Sequence, residues 1–193
     1  MHLIIMKPRS RFRGLTMFVT VGSTSFDELI NKILEEDTIN QILKLGFTKL
    51  IMQTGNSQYD QKRLDQLRVD LIANPNNELD LELYDYKSSI SVDIDRADVI
   101  VGHAGAGTCL EALRNGKRLL IVVNEKLMDN HQRELADQLS QDNFVVQTTV
   151  TQFDADLTLI CNRETKLSKF PPKNPAIFEK IFDNALKKVT SRL

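Results

Sequence analysis

Residues 97–111 read ADVIVGHAGAGTCLE, and they carry the clearest indication of the fold class. It joins a continuous apolar run at residues 99–101 to a loop of small residues and then to the start of a helical pattern. A short apolar run without polar alternation is typical of a parallel strand that is buried on both faces. In α/β proteins, the loop that follows such a strand faces the ligand.

The chain around this stretch alternates short β-branched runs with longer helical patterns. Apolar residues recur at helical spacing, as in Leu29 with Ile33 and in Leu135 with Leu139. The alternation predicts an α/β fold, a Rossmann-like parallel sheet with helices on both faces. The apolar runs at 99–101 and 119–123 predict neighbouring strands in the middle of this sheet. We expect strands at residues 17–21, 48–53, 81–84, 99–102, 118–123 and 144–147.

The length of 193 residues, with 41% hydrophobic residues, predicts one compact domain. We expect a Rossmann-like domain at residues 17–170 and a disordered extension at residues 1–16. Beyond residue 147 the pattern weakens until a break at residues 169–172, which predicts a final amphipathic helix at residues 171–193. Its apolar positions are Ile177, Ile181, Phe182 and Leu186.

Composition excludes several classes of protein. A net charge of −1 argues against a nucleic-acid partner, which would require a basic surface. The longest apolar runs are far shorter than the about 20 residues of a membrane span. Cys109 and Cys161 stand alone in sequence, which favours a reducing, cytoplasmic compartment. The basic tail at residues 7–13 lacks the apolar core of a signal peptide, and a transit peptide stays as the alternative.

The loop after the first expected strand contains Gly22, Ser23 and Thr24. Gly22 permits a tight turn, and the hydroxyl and N–H groups at the following helix start suit an anion. The alternative is an ordinary helix start, because glycine with serine or threonine caps begins many helices.

The loop after the fourth expected strand is the strongest local feature. Backbone N–H groups and the helix dipole at this point could hold a diphosphate. We expect Glu111 on the first turn of the following helix, one turn beyond Thr108, where a carboxylate can accept both hydroxyls of a ribose. The alternative is an acid that only favours the helix dipole. The loop positions that we expect to contact the ligand are His103, Gly105, Ala106, Gly107 and Thr108.

Another helix start follows the fifth expected strand and carries Asn130, His131 and Gln132. Amide and imidazole groups of this kind suit the hydroxyls of a sugar, and a solvated helix start is the alternative. An NAD site is disfavoured, because the first loop lacks Gly-x-Gly-x-x-Gly and residues 53–56 contain no acidic residue. We interpret the Asp-x-Asp patterns at 93–95 and 154–156 as solvated surface and expect no metal site.

The residues at 97–108, Glu111 and the segment 129–132 resemble, in order and spacing, the C-terminal donor domain of GT-B glycosyltransferases of family 28. Within that group, MFVTVGST at 17–24, LIMQTGN at 50–56 and MDNHQ at 128–132 are similar to one eukaryotic family. Its members are cytosolic subunits of the enzyme that adds the second N-acetylglucosamine to dolichyl-diphosphate-N-acetylglucosamine.

The resemblance implies an inverting transfer from UDP-N-acetylglucosamine without a cofactor or an essential metal. It implies a membrane-anchored partner subunit that binds the lipid-linked diphosphate-sugar acceptor and recruits the chain to the cytosolic face of the endoplasmic reticulum. Gly22, Ser23 and residues 103–108 would then face the diphosphate, and Glu111 the ribose. The helix start at 130–132 would face the sugar.

Only one Rossmann-like domain fits this length, whereas a complete GT-B enzyme has two around a cleft, so we expect the other half in a partner. His103 and His131 are better placed as donor ligands than as the catalytic base. The base is unassigned, and we expect it in the partner or in an unidentified carboxylate. Two alternatives stay open: a non-catalytic module that binds a nucleotide sugar, and an enzyme related to sugar-nucleotide epimerases.

Overall fold

The computed structural model describes residues 14–73, 79–125 and 130–171, without the side chains of Asn130 and His131. The strands are β1 (Leu15–Thr20), β2 (Phe47–Gln53), β3 (Asp80–Tyr84), β4 (Val99–Gly102), β5 (Arg118–Val122) and β6 (Val146–Thr148). The helices are α1 (Asp27–Ile33), α2 (Glu36–Lys44), α3 (Gln61–Ala73), α4 (Ser91–Arg96), α5 (Ala106–Arg114), α6 (Asn130–Gln141) and α7 (Phe153–Cys161).

The strands form one parallel sheet in the order β3-β2-β1-β4-β5-β6. The chain adds β2 and β3 on one side of β1. It then crosses back to place β4 on the other side of β1 and adds β5 and β6 toward the opposite edge. β1 and β4 end level, with Thr20 paired to Gly102. This point of reversal opens a crevice beyond the carboxyl ends of β1 and β4, the position at which Rossmann-like sheets bind ligands. The predicted neighbours β4 and β5 are confirmed as a pair, with β4 at the centre of the sheet.

Side chains of the strands alternate between two apolar cores, one on each face of the sheet. Met17 and Val19 point into one core with α1, α2, α3 and α7. Phe18 points into the other core with α4, α5 and α6. The predicted helical positions Leu29, Ile33 and Leu139 are all buried in these cores. Because both faces are covered, the ends of the sheet are where a polar ligand can reach the strands.

The first strand begins two residues earlier than the sequence pattern indicated. Leu15 and Thr16, which we had assigned to the disordered extension, form the start of β1. Thr16 is held at both ends of its backbone: its N–H donates to Asp98 Oδ2 at 2.8 Å, and its carbonyl accepts the N–H of Asp98 at 2.8 Å. This pairing with a residue 82 positions away was not readable from local sequence.

Helix α7 was not recognised in the weakly patterned region after residue 147. Its buried residues Phe153, Leu157 and Ile160 pack on β5 and β6. The Arg118 guanidinium satisfies carbonyl groups at and beyond the end of this helix, donating to Ile160 at 2.6 Å and to Asn162 at 3.0 Å. The chain then reaches the opposite core, and the predicted helix beyond residue 171 lies outside the described residues.

The Asp-x-Asp pattern in α4 corrects one expectation. Asp93 is not solvated surface: it is 2% exposed and accepts hydrogen bonds from Tyr84 Oη at 2.6 Å and Lys87 Nζ at 2.9 Å. Burial, together with the Asp93 carboxylate, raises the pKa of Tyr84. In the other pattern, Asp154 pairs with Lys32 at 2.7 Å between α7 and α1. These aspartates therefore hold helices in place.

We expect Asp93→Ala to lower the free energy of unfolding by about 2–3 kcal/mol, because it removes two hydrogen bonds to a buried carboxylate. Asp95→Ala is the matched control on the same helix, where the side chain is exposed, and we expect a change within about 0.5 kcal/mol. Urea unfolding measures both variants. Equal losses in the two variants would contradict the structural role of Asp93.

Candidate functional site

Two loops meet beyond the carboxyl ends of the central strands. The loop after β1 contains Gly22, Ser23 and Thr24, and the loop after β4 runs through His103 into α5. The strands hold the two loops together, since the N–H of His103 donates to the carbonyl of Thr20 at 3.4 Å. The sequence-predicted phosphate residues on these two loops are thus brought to one place.

The β1 loop is a tight turn that depends on Gly22. This residue has φ 64°, a conformation that residues with a side chain rarely adopt. Its N–H donates to Thr20 Oγ1 at 3.0 Å, and Thr24 closes the turn by donating from Oγ1 to the carbonyl of Val21 at 2.8 Å. Ser23, Thr24 and Ser25 are exposed.

His103 fills the space between the two loops. A Cβ atom on Gly22 would lie 3.1 Å from His103 Cε1, and a Cβ atom on Gly105 would lie 2.7 Å from His103 Nε2. A side chain on Gly105 would therefore overlap the ring, and one on Gly22 would crowd it. His103 is 8% exposed, and its Nδ1 has no hydrogen-bond partner within the described part of the chain. Burial lowers the pKa of His103, so the ring is neutral at about pH 7.

The N-terminus of α5 faces the same crevice. Gly105 is the N-cap residue and makes no side-chain capping bond, and the first intrahelical bond of the helix is from Cys109 N–H to the Gly105 carbonyl at 3.0 Å. Helix geometry therefore leaves the N–H groups of Ala106, Gly107 and Thr108 without an intrahelical acceptor. These groups, at the positive end of the helix dipole, suit an anion.

Glu111 is half-buried in α5. It lies in the second turn of the helix rather than the first, because α5 begins at Ala106. It remains one turn beyond Thr108, as the spacing indicated. A rise of about 1.5 Å per residue separates the backbone of Glu111 from that of Thr108 by about 4.5 Å along the helix axis.

The third predicted group opens α6, which begins at Asn130 after β5. Because β5 is the neighbour of β4, this helix start lies at the same edge of the sheet as the two loops. Gln132 is half-buried, and the side chains of Asn130 and His131 lie outside the described residues. Their proposed contacts with a sugar therefore stay a prediction.

The loop after β2 also reaches this site, although the sequence pattern indicated no ligand contact there: residues 53–56 served only to disfavour an NAD site and to support the family resemblance. Gly55 has φ 56° and lies against the β1 loop, where an added Cβ would collide with the carbonyl of Thr24. Asn56 donates its backbone N–H to Thr24 at 2.8 Å and its Nδ2 to the carbonyl of Ser23 at 3.0 Å. A Gly-Asn pair directly after a strand was the signal that could have indicated it.

The described residues contain no group of three or more His, Cys, Asp or Glu side chains that could hold a metal ion. A separate groove of about 850 Å³ lies between α2 and α3, and none of the predicted site residues lines it. It is bordered mainly by charged side chains, among them Glu36, Asp37 and Arg63. We therefore place the candidate site at the crevice of β1 and β4.

Comparison with known families decides the class of the protein. Residues 16–188 match the glycosyltransferase family 28 C-terminal domain. The chain belongs to this family. The family match covers both loops of the crevice.

Relatives share a name across eukaryotes. The human protein named UDP-N-acetylglucosamine transferase subunit ALG13 is 42% identical over 135 residues, which are 69% of this chain. The chain spans only 11% of that protein and 10% of its mouse counterpart. The Saccharomyces cerevisiae protein of the same name is 27% identical over 187 residues, and the match covers 86% of this chain and 93% of the yeast protein.

The fold agrees with a solved structure from the same group. The NMR solution structure of ALG13 superposes with a TM-score of 0.63 and 25% identity, covering 88% of this chain and 95% of that one. The predicted Rossmann-like half-domain of the GT-B type is thereby confirmed. Among the residues described, no helix is long and apolar enough to cross a membrane.

We expect Gly105→Ala to displace the His103 ring, since the added methyl group would lie 2.7 Å from Nε2. Gly105 has φ −71°, which alanine adopts without strain, so the effect isolates the ring contact. Proton NMR titration should show the pKa of His103 below its ordinary value of about 6.5 in the wild type and shifted back toward it in the variant. An unchanged His103 titration in Gly105→Ala would contradict this packing.

Proposed function

We propose that this chain is the donor-binding subunit of a two-part N-acetylglucosaminyltransferase. It would bind UDP-N-acetylglucosamine and transfer the sugar to dolichyl-diphosphate-N-acetylglucosamine with inversion. Membership of family 28 and the shared name of the relatives support this activity.

The observation that carries the proposal is the convergence of the β1 loop and the N-terminus of α5 around His103. Both are sources of N–H groups at the reversal point of the sheet. A UDP diphosphate carries the negative charge that such N–H groups bind. Gly22, Ser23, Thr24 and the start of α5 would form this diphosphate site.

The same groups would stabilise the leaving group during transfer. When the acceptor hydroxyl attacks the anomeric carbon, the bond to the β-phosphate oxygen breaks and negative charge develops on UDP. N–H groups fixed before the reaction stabilise that charge without reorganising. His103 is suited to hydrogen bonding at this position, because a buried, neutral imidazole can donate from one nitrogen. The base that removes the acceptor proton would come from the partner.

Glu111 would accept the ribose hydroxyls, one helical turn from the phosphate groups. We expect Glu111→Ala to weaken UDP binding about tenfold or more, because a charge-assisted hydrogen bond contributes about 1.5–3 kcal/mol. The wild type should bind 2′-deoxy-UDP more weakly than UDP, whereas Glu111→Ala should bind both alike. Calorimetry measures the four affinities, with Glu36→Ala on α2 as the control.

A different result would reassign this residue. If Glu111→Ala keeps the wild-type preference for UDP over 2′-deoxy-UDP, the ribose is bound elsewhere. An effect of equal size from Glu36→Ala would show that the loss is not specific to the site.

The proposal includes a membrane-anchored partner that binds the acceptor and recruits this chain to the cytosolic face of the endoplasmic reticulum. The name "transferase subunit" of the relatives supports a heteromer. The segment 171–193, with its apolar positions at helical spacing, is our candidate for docking this partner.

We expect Ile181→Asp to abolish co-purification with the partner, because it places a charge on the apolar stripe of the candidate docking segment. Lys180→Asp is the matched control, since it introduces the same residue at the adjacent polar position. Pull-down from co-expressing cells measures both variants. Recovery of the partner at wild-type yield with Ile181→Asp would exclude this segment as the docking site.

Transfer of labelled N-acetylglucosamine tests the function itself. The assay uses labelled UDP-N-acetylglucosamine, a dolichyl-diphosphate-N-acetylglucosamine analogue, and the full chain with and without membranes that contain the partner. We expect transfer only when both are present. UDP binding without transfer in either condition would indicate a non-catalytic binding module, and conversion of the donor sugar without acceptor would indicate an epimerase-like enzyme.

A further inference from the structure

We propose that Asn56 and Gly55, on the loop after β2, are positioning residues that aim the N–H groups of the β1 loop at the diphosphate. The inference rests on the proposed function for the identity of the ligand. Neither residue belongs to the predicted contact set, and the contacts described below assign them a role through the β1 loop.

Asn56 donates hydrogen bonds to backbone carbonyl groups of the β1 loop. Its side-chain Nδ2 donates to the carbonyl of Ser23 at 3.0 Å, and its backbone N–H donates to the carbonyl of Thr24 at 2.8 Å. The carbonyl of Gly22 also faces this side, since it would lie 2.8 Å from a Cβ atom on Gly55. Three successive carbonyl groups of the loop therefore point toward the β2 loop.

The direction of these carbonyl groups fixes the direction of the N–H groups. In a trans peptide the C=O and N–H of one plane point to opposite sides. Because the carbonyl groups of Gly22 and Thr24 face the β2 loop, the N–H groups of Ser23 and Ser25 point away from it. In the sheet, β1 lies between β2 and β4, so the side away from the β2 loop is the side of His103 and α5.

Gly55 allows this close approach. It combines φ 56° with a position at which any side chain would collide with the carbonyl of Thr24. Gly55 thus lets the β2 loop pack directly against the backbone of the β1 loop, and Asn56 follows it into hydrogen-bonding range.

The β2 loop is itself anchored, so it can act as a fixed support. The N–H groups of Thr54 and Gly55 donate to the carbonyls of Tyr84 and Asp85, each at 2.9 Å. On its other side, Ser57 Oγ accepts the N–H of Phe26 at 2.8 Å, at the start of α1. The support is therefore tied to the edge strand and to the helix that follows the β1 loop.

A purely structural role would make a different prediction from a positioning role. A general loosening of the site would weaken the binding of the phosphates and of the nucleoside to the same extent. Misorientation of the N–H groups in the β1 loop would weaken only the binding of the phosphates and would leave the nucleoside contact intact. Comparison of UDP with uridine, which has no phosphate, separates the two.

The experiment is NMR titration of the full-length wild type and Asn56→Ala with UDP and with uridine. Asn56 is exposed, and its backbone hydrogen bond survives in this variant, so we expect the fold to persist with a midpoint of thermal unfolding at most about 2–4 °C lower. The dissociation constant for UDP should rise about three- to tenfold, because one neutral hydrogen bond to the loop is lost. The constant for uridine should stay within about twofold. Asn40→Ala, at an exposed position of α2, is the matched control.

Each other result overturns the inference. Equal weakening of UDP and uridine would show a structural role only, and wild-type UDP affinity in Asn56→Ala would show no role in binding. If the wild type itself shows no saturable UDP binding, the proposed function fails first and the positioning role fails with it.

Discussion

The packing of the His103 ring between two glycine backbones is the contact on which the candidate site depends. Gly22 and Gly105 come from different loops, and the ring lies in direct contact with the backbone of both. The ring thereby fixes the distance between the β1 loop and the start of α5. A side chain at Gly105 would displace the ring from this position, and a side chain at Gly22 would crowd the ring and strain the turn.

The order of strands places the contact of His103 with the two glycines at the carboxyl ends of β1 and β4. Because the chain reverses between β1 and β4, the loops after these strands leave a crevice that neither covering helix layer closes. The β2 loop supports one side of the crevice through Gly55 and Asn56. The site is therefore built mainly from backbone groups, and side chains act chiefly by holding that backbone in place.

Local sequence predicted the strands and helices whose burial leaves a pattern of apolar residues within a single element. Continuous apolar runs indicated β4 and β5, and helical spacing indicated α1, α5 and α6, because burial on both faces of a sheet leaves a clear pattern. It could not indicate that Asp98 extends β1 to Leu15 or that Asp93 is buried beneath Lys87, since both depend on partners distant in space. Helix α7 was missed although Phe153, Leu157 and Ile160 recur at helical spacing, so a local signal for it was present. The role of Asn56 could not be predicted from local sequence either, because the acceptor of its side chain, the carbonyl of Ser23, lies 33 residues away.

The most direct test of the proposed diphosphate site is a map of backbone amide shifts in the wild-type chain on titration with UDP, compared with the map for uridine. We expect the shifts specific to the diphosphate to fall on Ser23, Ser25 and residues 106–108, the N–H groups around His103. Diphosphate-specific shifts confined to the groove between α2 and α3, with none at these amides, would contradict it.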